Sequence, residues 1–250
     1  MKIAIAELYT NNLGDWVRLA TKNKCDYATK HGYEFFSEVI DFPKERHPSW
    51  YCIPHILNVF KQCKESDWVF WSDIDSLIMK TDIELSSFIS EEYDFIVPNQ
   101  GEGAILGKVH DECLNLGQFF IKKSSWSIEL LNKVWLWSEG TNFKWDVYWE
   151  NCVFNHFWKN NCHNFAERAK VVPCRLFGSF HDMGDWNLDS QYRFGDFLIH
   201  FAGKTMEQRD VLIPEYYKRI DDKTDESHVE PKWSEIAGIT SEEMAKRRKV

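Results

Sequence analysis

Ser72-Asp73-Ile74-Asp75-Ser76 follows directly on Trp68-Val69-Phe70-Trp71, a continuous apolar run of the kind that forms a strand buried on both faces. Two carboxylates at the carboxyl end of such a strand stand at the crevice where open α/β sheets bind ligands. In an extended D-x-D both side chains emerge on one side, about 6 to 7 Å apart by the strand rise, close enough to share a divalent cation and the oxygens of a diphosphate. A bare D-x-D also arises as a turn or a solvated pair, and the spacing alone leaves both readings open. Unpaired carboxylates against a buried aromatic strand are costly, however, and a cation offsets that cost.

His200 is the second informative position. It ends the apolar run Phe197-Leu198-Ile199 and precedes Phe201-Ala202-Gly203-Lys204, so an imidazole, a glycine and a cation arrive within five residues. A lone histidine beside an apolar strand is more often structural than a ligand. Here Lys204 can neutralise a departing phosphate, and His200 can complete an Asp/His coordination set suited to Mn²⁺.

These residues need elements to hold them. A first strand is expected at about residues 3 to 9. After the polar turn Thr10 to Asp15, apolar residues recur at helical spacing up to His31-Gly32, where the glycine supplies a stop. A strand at Tyr33 to Phe36, a helix from about Pro54 to Cys63 and the strand Trp68 to Trp71 complete a strand-helix alternation that means an α/β domain with parallel strands. Further strands are expected at Asp94 to Val97 and Gly117 to Lys122. Helices are expected at Ser125 to Trp135, capped by Ser124 or Ser125 with Glu129, and at Glu150 to Trp158. Residues 171 to 203 read as short strands and loops. The pattern divides the chain into a domain over 1–220 and a charged extension over 221–250, with a closing helix at Ser241 to Arg248.

Composition narrows the partners. Thirty Lys and Arg against 39 Asp and Glu give the 250-residue chain a net charge of −9, which argues against a phosphate-neutralising nucleic-acid surface. The 44% hydrophobic content excludes a disordered or fibrous chain. Aromatic residues reach 16%; most belong in a core, but flat rings also stack on sugars and bases. Seven cysteines without a C-x-x-C pair fit reduced thiols in a cytosolic protein. The N-terminus has no signal-peptide pattern, and no run approaches the roughly 18 apolar residues of a membrane helix.

Taken in order, the motifs resemble the GT-A glycosyltransferases of family 34, the galactosyl-, mannosyl- and xyloglucan xylosyltransferases. Asn23-Lys24-x-x-Tyr27-Ala28-x-x-His31-Gly32-Tyr33 resembles the family's early helix, Trp50-x-x-x-Pro54 its W-x-K-x-P segment, and Trp68 to Asp75 its strand with D-x-D. Leu114-Asn115-Leu116-Gly117 followed by Trp126-Ser127 is similar to its L-N-x-G strand and next helix, and Ile199-His200-Phe201-Ala202-Gly203 to its terminal H-F-x-G. The resemblance implies a GT-A, Rossmann-like fold with a mostly parallel central sheet flanked by helices. It implies a UDP-sugar donor in preference to a GDP-sugar, a glycan acceptor, and Mn²⁺ (or Mg²⁺) held by Asp73, Asp75 and His200. It also implies transfer of a hexose or pentose with retention of configuration. Tyr9, Thr10, Lys24, Ile74 and Gly203 would join Asp73, Asp75, His200 and Lys204 around the nucleotide, with Asn115 and Gly117 along the donor sugar. The family's acidic-plus-Gln segment would fall on Glu150 and Asn151, and Trp149, Asp185 and Trp186, with Trp145, would form an acceptor platform. Two departures stand out: Cys52 replaces the usual Lys, and Trp149-Glu150-Asn151 replaces the D-D-Q of the xylosyltransferases. The family's usual membrane anchor is not seen, which fits a cytoplasmic enzyme or a chain trimmed of its anchor.

In a transferase of this kind, the cation and Lys204 would stabilise charge building on the departing diphosphate. Retention proceeds either through a covalent intermediate on Glu150 or by attack from the leaving-group face, with the diphosphate taking the acceptor's proton; the second is favoured. Glu150 has a plainer role as a carboxylate at a helix N-terminus. Three other classes compete: a haloacid-dehalogenase-type phosphatase using the D-x-D, a non-catalytic carbohydrate-binding protein, and an inactive scaffold of the same fold that would not bind Mn²⁺.

Overall fold

The computed structural model describes residues 2–43, 45–105, 108–139, 141, 143, 148–182 and 188–222, with backbone alone at 102–105 and 108–111. In chain order the elements are β1 (Ile3–Thr10), α1 (Trp16–His31), β2 (Glu34–Ile40), α2 (Cys52–Gln62), β3 (Trp68–Ser72), β4 (Ser76–Ile78), β5 (Phe95–Ile105), β6 (Lys108–Leu114), β7 (Gln118–Lys122), α3 (Ser125–Glu139), α4 (Glu150–Lys159), α5 (Phe165–Arg168), β8 (Ala169–Pro173), β9 (Ser179–Phe180), β10 (Leu198–His200) and α6 (Met206–Tyr217). The expected extension lies outside the described residues from 223 onward, including the helix at Ser241 to Arg248.

The main sheet has seven strands in the order β2-β1-β3-β7-β5-β6, with β8 also paired to β5. Five of the seven run in one direction, and β7 and β6 oppose them. The mostly parallel α/β sheet read from the sequence is therefore present. Successive side chains of a strand point to opposite faces. In β3, Val69 and Trp71 accordingly join Ala4, Ala6 and Phe119 under α2, α3 and α4. Trp68 and Phe70 face the other way, with Ile3, Ile5 and Phe120 against Tyr27 and Ala28 of α1. Every residue of β3 is buried, as its unbroken apolar run requires.

Beside the main sheet lies a three-stranded sheet, β4-β10-β9. Its antiparallel β4 and β10 set His200 opposite Ser76. A third core cluster closes over it: Trp16, Val17 and Ala20 of α1 meet Leu77, Met79, Ile199, Phe201 and, from α6, Ile213. The sequence reading contained neither β4, β6 nor α6. The three residues of β4 carry no periodicity of their own. Helix α6 did leave a signal, the pair Thr205 and Gln208: Thr205 Oγ1 accepts from Gln208 N at 3.2 Å, and Gln208 Oε1 accepts from Thr205 N at 2.9 Å. For α3 the cap is Ser124, whose Oγ accepts from Ser127 N at 3.2 Å. Glu129 takes no part in it and lies 3.8 Å from His163.

The early-helix motif on α1 proves to be a clamp on residues 74–85. Asn23 holds Ile78 at both ends, Nδ2 donating to its carbonyl at 2.9 Å and Oδ1 accepting from its amide at 2.7 Å. Tyr27 donates to Ile83 O at 2.5 Å, His31 Nε2 lies 2.7 Å from Thr81 O, and Tyr33 OH accepts from Leu85 N at 3.2 Å. Gly32 turns the chain at φ 69°, the left-handed conformation a C-terminal stop needs. Lys24, expected at the nucleotide, is fully buried and points into this clamp: its Nζ is 3.1 Å from Glu7 Oε2 and donates to Ile74 O at 3.3 Å. A lysine without solvent must stay with its counter-charge, so it serves the D-x-D turn from beneath. Asn23→Ala leaves two buried backbone groups without partners and is expected to cost about 2 kcal/mol or more in urea unfolding.

Candidate active site

The aspartates stand where β3 ends. They are not in extended strand, as the spacing suggested, but in a tight turn from β3 into β4. Ser76 Oγ donates to Asp73 O at 2.6 Å and lies 2.8 Å from Ser72 Oγ, which closes the turn. Its backbone is anchored from both sides, Asp73 N donating to Gly117 O at 2.7 Å and Phe201 N to Asp75 O at 2.8 Å. Three of the five motifs of the sequence thus meet here: D-x-D, L-N-x-G and H-F-x-G.

His200 Nε2 lies 3.2 Å from Asp75 Oδ1 and 3.8 Å from Asp73 Oδ2. One ligand atom from each of Asp73, Asp75 and His200 falls within 4.8 Å of the others. Two ligands about 2.1 Å from one ion lie up to roughly 4.2 Å apart, so this spacing needs only a small contraction to hold a divalent cation. The remaining carboxylate oxygens have partners: Trp71 Nε1 donates to Asp73 Oδ1 at 2.9 Å, and Arg209 Nη2 to Asp75 Oδ2 at 2.6 Å. Desolvation raises Asp73 above the usual carboxylate range, with His200 pulling the other way and Asp75 adding to the rise. Desolvation acts on Asp75 too, but His200 and Arg209 override it and hold that carboxyl well below the usual range. The pair presents at least one firm anion at neutral pH.

The imidazole is held by close packing. Phe180 stacks on it at 5.6 Å and 22°. On its other side Gly117 comes so near that an added Cβ would collide with His200 Cε1 and sit 3.0 Å from Nδ1. Gly117 is therefore glycine for space, whereas Gly203 adopts φ 72° with nothing near its Cβ position and is glycine for conformation.

Above the cluster opens a cavity of about 800 Å³. Tyr9 and Thr10 at the end of β1, Ile74, and Asn115 with Gly117 line it, as do Gly203 and Lys204. Lys204 Nζ donates to Asp182 O at 2.8 Å. Trp149 and Asn151 reach the cavity from the start of α4. Trp149 adopts φ 49°, ψ −125°, a costly conformation for a bulky residue, and its ring lies flat on His47 at 3.6 Å. Asn151 is already engaged, Oδ1 accepting from Leu116 N at 2.9 Å and Nδ2 donating to Glu150 Oε1 at 3.0 Å. Glu150 itself does not line the cavity. Its Oε2 has no partner among the described residues, and burial pushes the carboxyl up to about 8, against a hydrogen bond from Ser49 and helped by Asp73. Such a group keeps its proton at neutral pH, so it is not the ionised helix-end carboxylate expected. Trp145, Asp185 and Trp186 lie outside the described residues.

Residues 4–210 match the model of the galactosyl transferase GMA12/MNN10 family. The chain belongs to this family. An uncharacterized α-1,2-galactosyltransferase of Schizosaccharomyces pombe is 24% identical over 248 residues, covering 80% of this chain and 70% of the relative. A probable α-1,6-mannosyltransferase, MNN10 of Saccharomyces cerevisiae, is 24% identical over 226 residues, covering 74% of this chain and 54% of the relative. Another S. pombe relative is covered to 57% of its length, so the chain spans between about half and 70% of these proteins. Among solved structures, a glycosyltransferase involved in the glycosylation of the major capsid of PBCV-1 superposes with a TM-score of 0.64 at 16% identity, over 85% of this chain and 99% of that one. The galactosyltransferase LgtC, solved with donor and acceptor sugar analogues, gives 0.51 at 12% identity, over 93% and 99%. These likenesses show the GT-A fold. Family membership makes the domain a glycosyltransferase and displaces the phosphatase and carbohydrate-binding alternatives.

Arg209 and His47 are the site residues that motif reasoning missed. His47 left no local signal, while the capping pair at Thr205 and Gln208 pointed to the helix that carries Arg209. Gly117→Ala is expected to displace His200 and weaken divalent-cation binding, followed by titration calorimetry, about 10- to 100-fold, the range for disturbing groups that orient a ligand. Glu150 titrates near 8 when folded and near 4.5 when unfolded, so between those values the folded state holds a proton the unfolded state has lost. Its cost to stability therefore grows as pH rises through that window. The unfolding midpoint of Glu150→Gln should exceed that of the wild type by a margin that widens from pH 5 to 8; a margin independent of pH would mean an ionised Glu150.

Proposed function

We propose that this domain transfers a hexose, galactose or mannose, from a nucleoside-diphosphate sugar to a hydroxyl of a glycan, with retention of configuration. The donor is UDP-linked in preference to GDP-linked. The observation that carries this reading is the meeting of Asp73 and Asp75, from the turn between β3 and β4, with His200 of β10 in the cavity of about 800 Å³. Two carboxylate oxygens with one imidazole nitrogen suit Mn²⁺, with Mg²⁺ as the alternative. Bound there, the cation would supply Lewis-acid neutralisation of the donor's diphosphate.

The chain's own residues supply the rest. Tyr9 and Thr10 meet the nucleoside at the end of β1, and Gly203 lets backbone approach the phosphates. Lys204 leaves the Asp182 carbonyl to balance charge on the departing diphosphate. Asn115 and Gly117 border the donor sugar, and Trp149, backed by His47, offers a flat apolar face to the acceptor ring. The α linkages in the names of the relatives accord with retention from an α-linked nucleotide sugar. A protonated Glu150 outside the cavity makes a poor nucleophile, which favours attack from the leaving-group face, the acceptor's proton passing to a diphosphate oxygen.

The reading is tested by thermal unfolding with Mn²⁺ against a panel of UDP- and GDP-sugars. One nucleotide class at about 100 times its dissociation constant should add roughly 2.7 kcal/mol of stability, lost without Mn²⁺ or in Asp75→Ala. Failure of every donor to stabilise the wild type would remove the reading. With the donor known, Glu150→Gln is expected to keep turnover within about tenfold, where removing a true nucleophile costs several orders of magnitude.

A further inference from the structure

We propose that Arg209 is an internal counter-cation: it holds Asp75 while the donor is absent and passes to the donor's diphosphate on binding, so that cation and nucleotide binding become mutually dependent. The inference rests on the reading above and concerns the same cavity.

Both oxygens of Asp75 are engaged. His200 Nε2 lies 3.2 Å from Oδ1, and Arg209 Nη2 donates to Oδ2 at 2.6 Å. Asp73 differs, its Oδ1 accepting only from the neutral indole of Trp71. A divalent cation entering the cluster therefore competes with a resident positive charge at Asp75 and not at Asp73. The guanidinium is also under-used. It carries five donors; Nη2 is on Asp75, while Nε is buried with no partner among the described residues. Its planar fork suits phosphate oxygens.

The backbone that carries Arg209 is held in place. Its backbone amide donates to Thr205 O at 3.0 Å in the first turn of α6, and Ile213 anchors that helix in the core. The side chain borders the cavity together with Lys204, and its guanidinium lies 5.8 Å from the Trp16 ring. A diphosphate between Arg209 and Lys204 would offer the guanidinium a stronger anion than a single carboxylate and free Asp75 of its ion pair, leaving its full charge to the cation. By linkage, whatever factor the nucleotide adds to cation affinity the cation adds to nucleotide affinity.

A purely structural Arg209, tying α6 to the D-x-D turn, would give the opposite sign on removal: cation binding would weaken. The test is Mn²⁺ titration followed by electron paramagnetic resonance, alone and with UDP, and UDP titration by calorimetry at saturating Mn²⁺. Measurements cover the wild type, Arg209→Met and Arg209→Lys. Arg209→Met should bind Mn²⁺ alone about fivefold or more tightly than wild type and UDP correspondingly less tightly, shrinking the coupling factor, which between sites is ordinarily about 5 to 150. Arg209→Lys, which keeps the charge and loses the fork, should leave Mn²⁺ affinity near that of the wild type and weaken UDP. It carries the test if Arg209→Met does not fold. Mn²⁺ binding by Arg209→Met that is unchanged or weaker would overturn the inference, as would UDP affinity untouched in Arg209→Lys. A wild type that binds Mn²⁺ and UDP while the variants match it sinks this inference alone; a wild type that binds neither sinks the transferase reading with it.

Discussion

A carboxylate taken out of water needs positive or donating partners, and the arrangement around Asp75 follows from that need. Its two oxygens face His200 and Arg209, which lie 125 and 134 residues away along the chain. To deliver them, the chain pairs β10 against β4 and lays α6 over the same small sheet, closing the third core cluster. Packing and charge thus have a common solution. The helix that covers the sheet also carries the cation its buried anion requires.

The same constraint recurs one layer down. Glu7, in the fully buried part of β1, is matched by Lys24, which also bonds the carbonyl of Ile74 inside the turn. Ser37 Oγ donates to the other Glu7 oxygen at 2.9 Å. The buried pair fixes α1 against the turn, and the polar residues of α1 then hold the following segment strand by strand. The early-helix motif, of which Lys24 alone was expected at the nucleotide, is therefore largely a backbone clamp. Burial without a counter-charge has the reverse result at Glu150, whose carboxyl escapes the cost by keeping its proton.

Relatives named as galactosyl- and mannosyltransferases are about a quarter identical to this chain. Three backbone segments converge at the D-x-D turn, where His200 and Asn115 pack too tightly against Gly117 to admit a side chain at 117. The outer wall is different in kind. There the strained Trp149, stacked on His47, shapes the opening with side chains that the packing of the sheets does not dictate.

Much was legible in the sequence because it is local. A run such as Trp68 to Trp71 can only be buried on both faces, an acidic pair at its end must meet a cation or water, and Gly32 must stop its helix; strand, motif and stop followed from neighbouring residues. The position of His200 at the end of Phe197-Leu198-Ile199 added it to the pair, and the motifs resembling family 34 agreed. Tertiary structure alone decided matters that depend on distant partners. It made the D-x-D a turn, because Gly117 and Phe201 hold its backbone from either side. It turned Lys24 inward, because Glu7 is buried beneath it. It neutralised Glu150 and set Arg209 on Asp75. Charge and hydrogen-bonding capacity are written in each residue, but whether a group is ionised, paired or exposed depends on the dielectric and the neighbours that the folded chain builds around it.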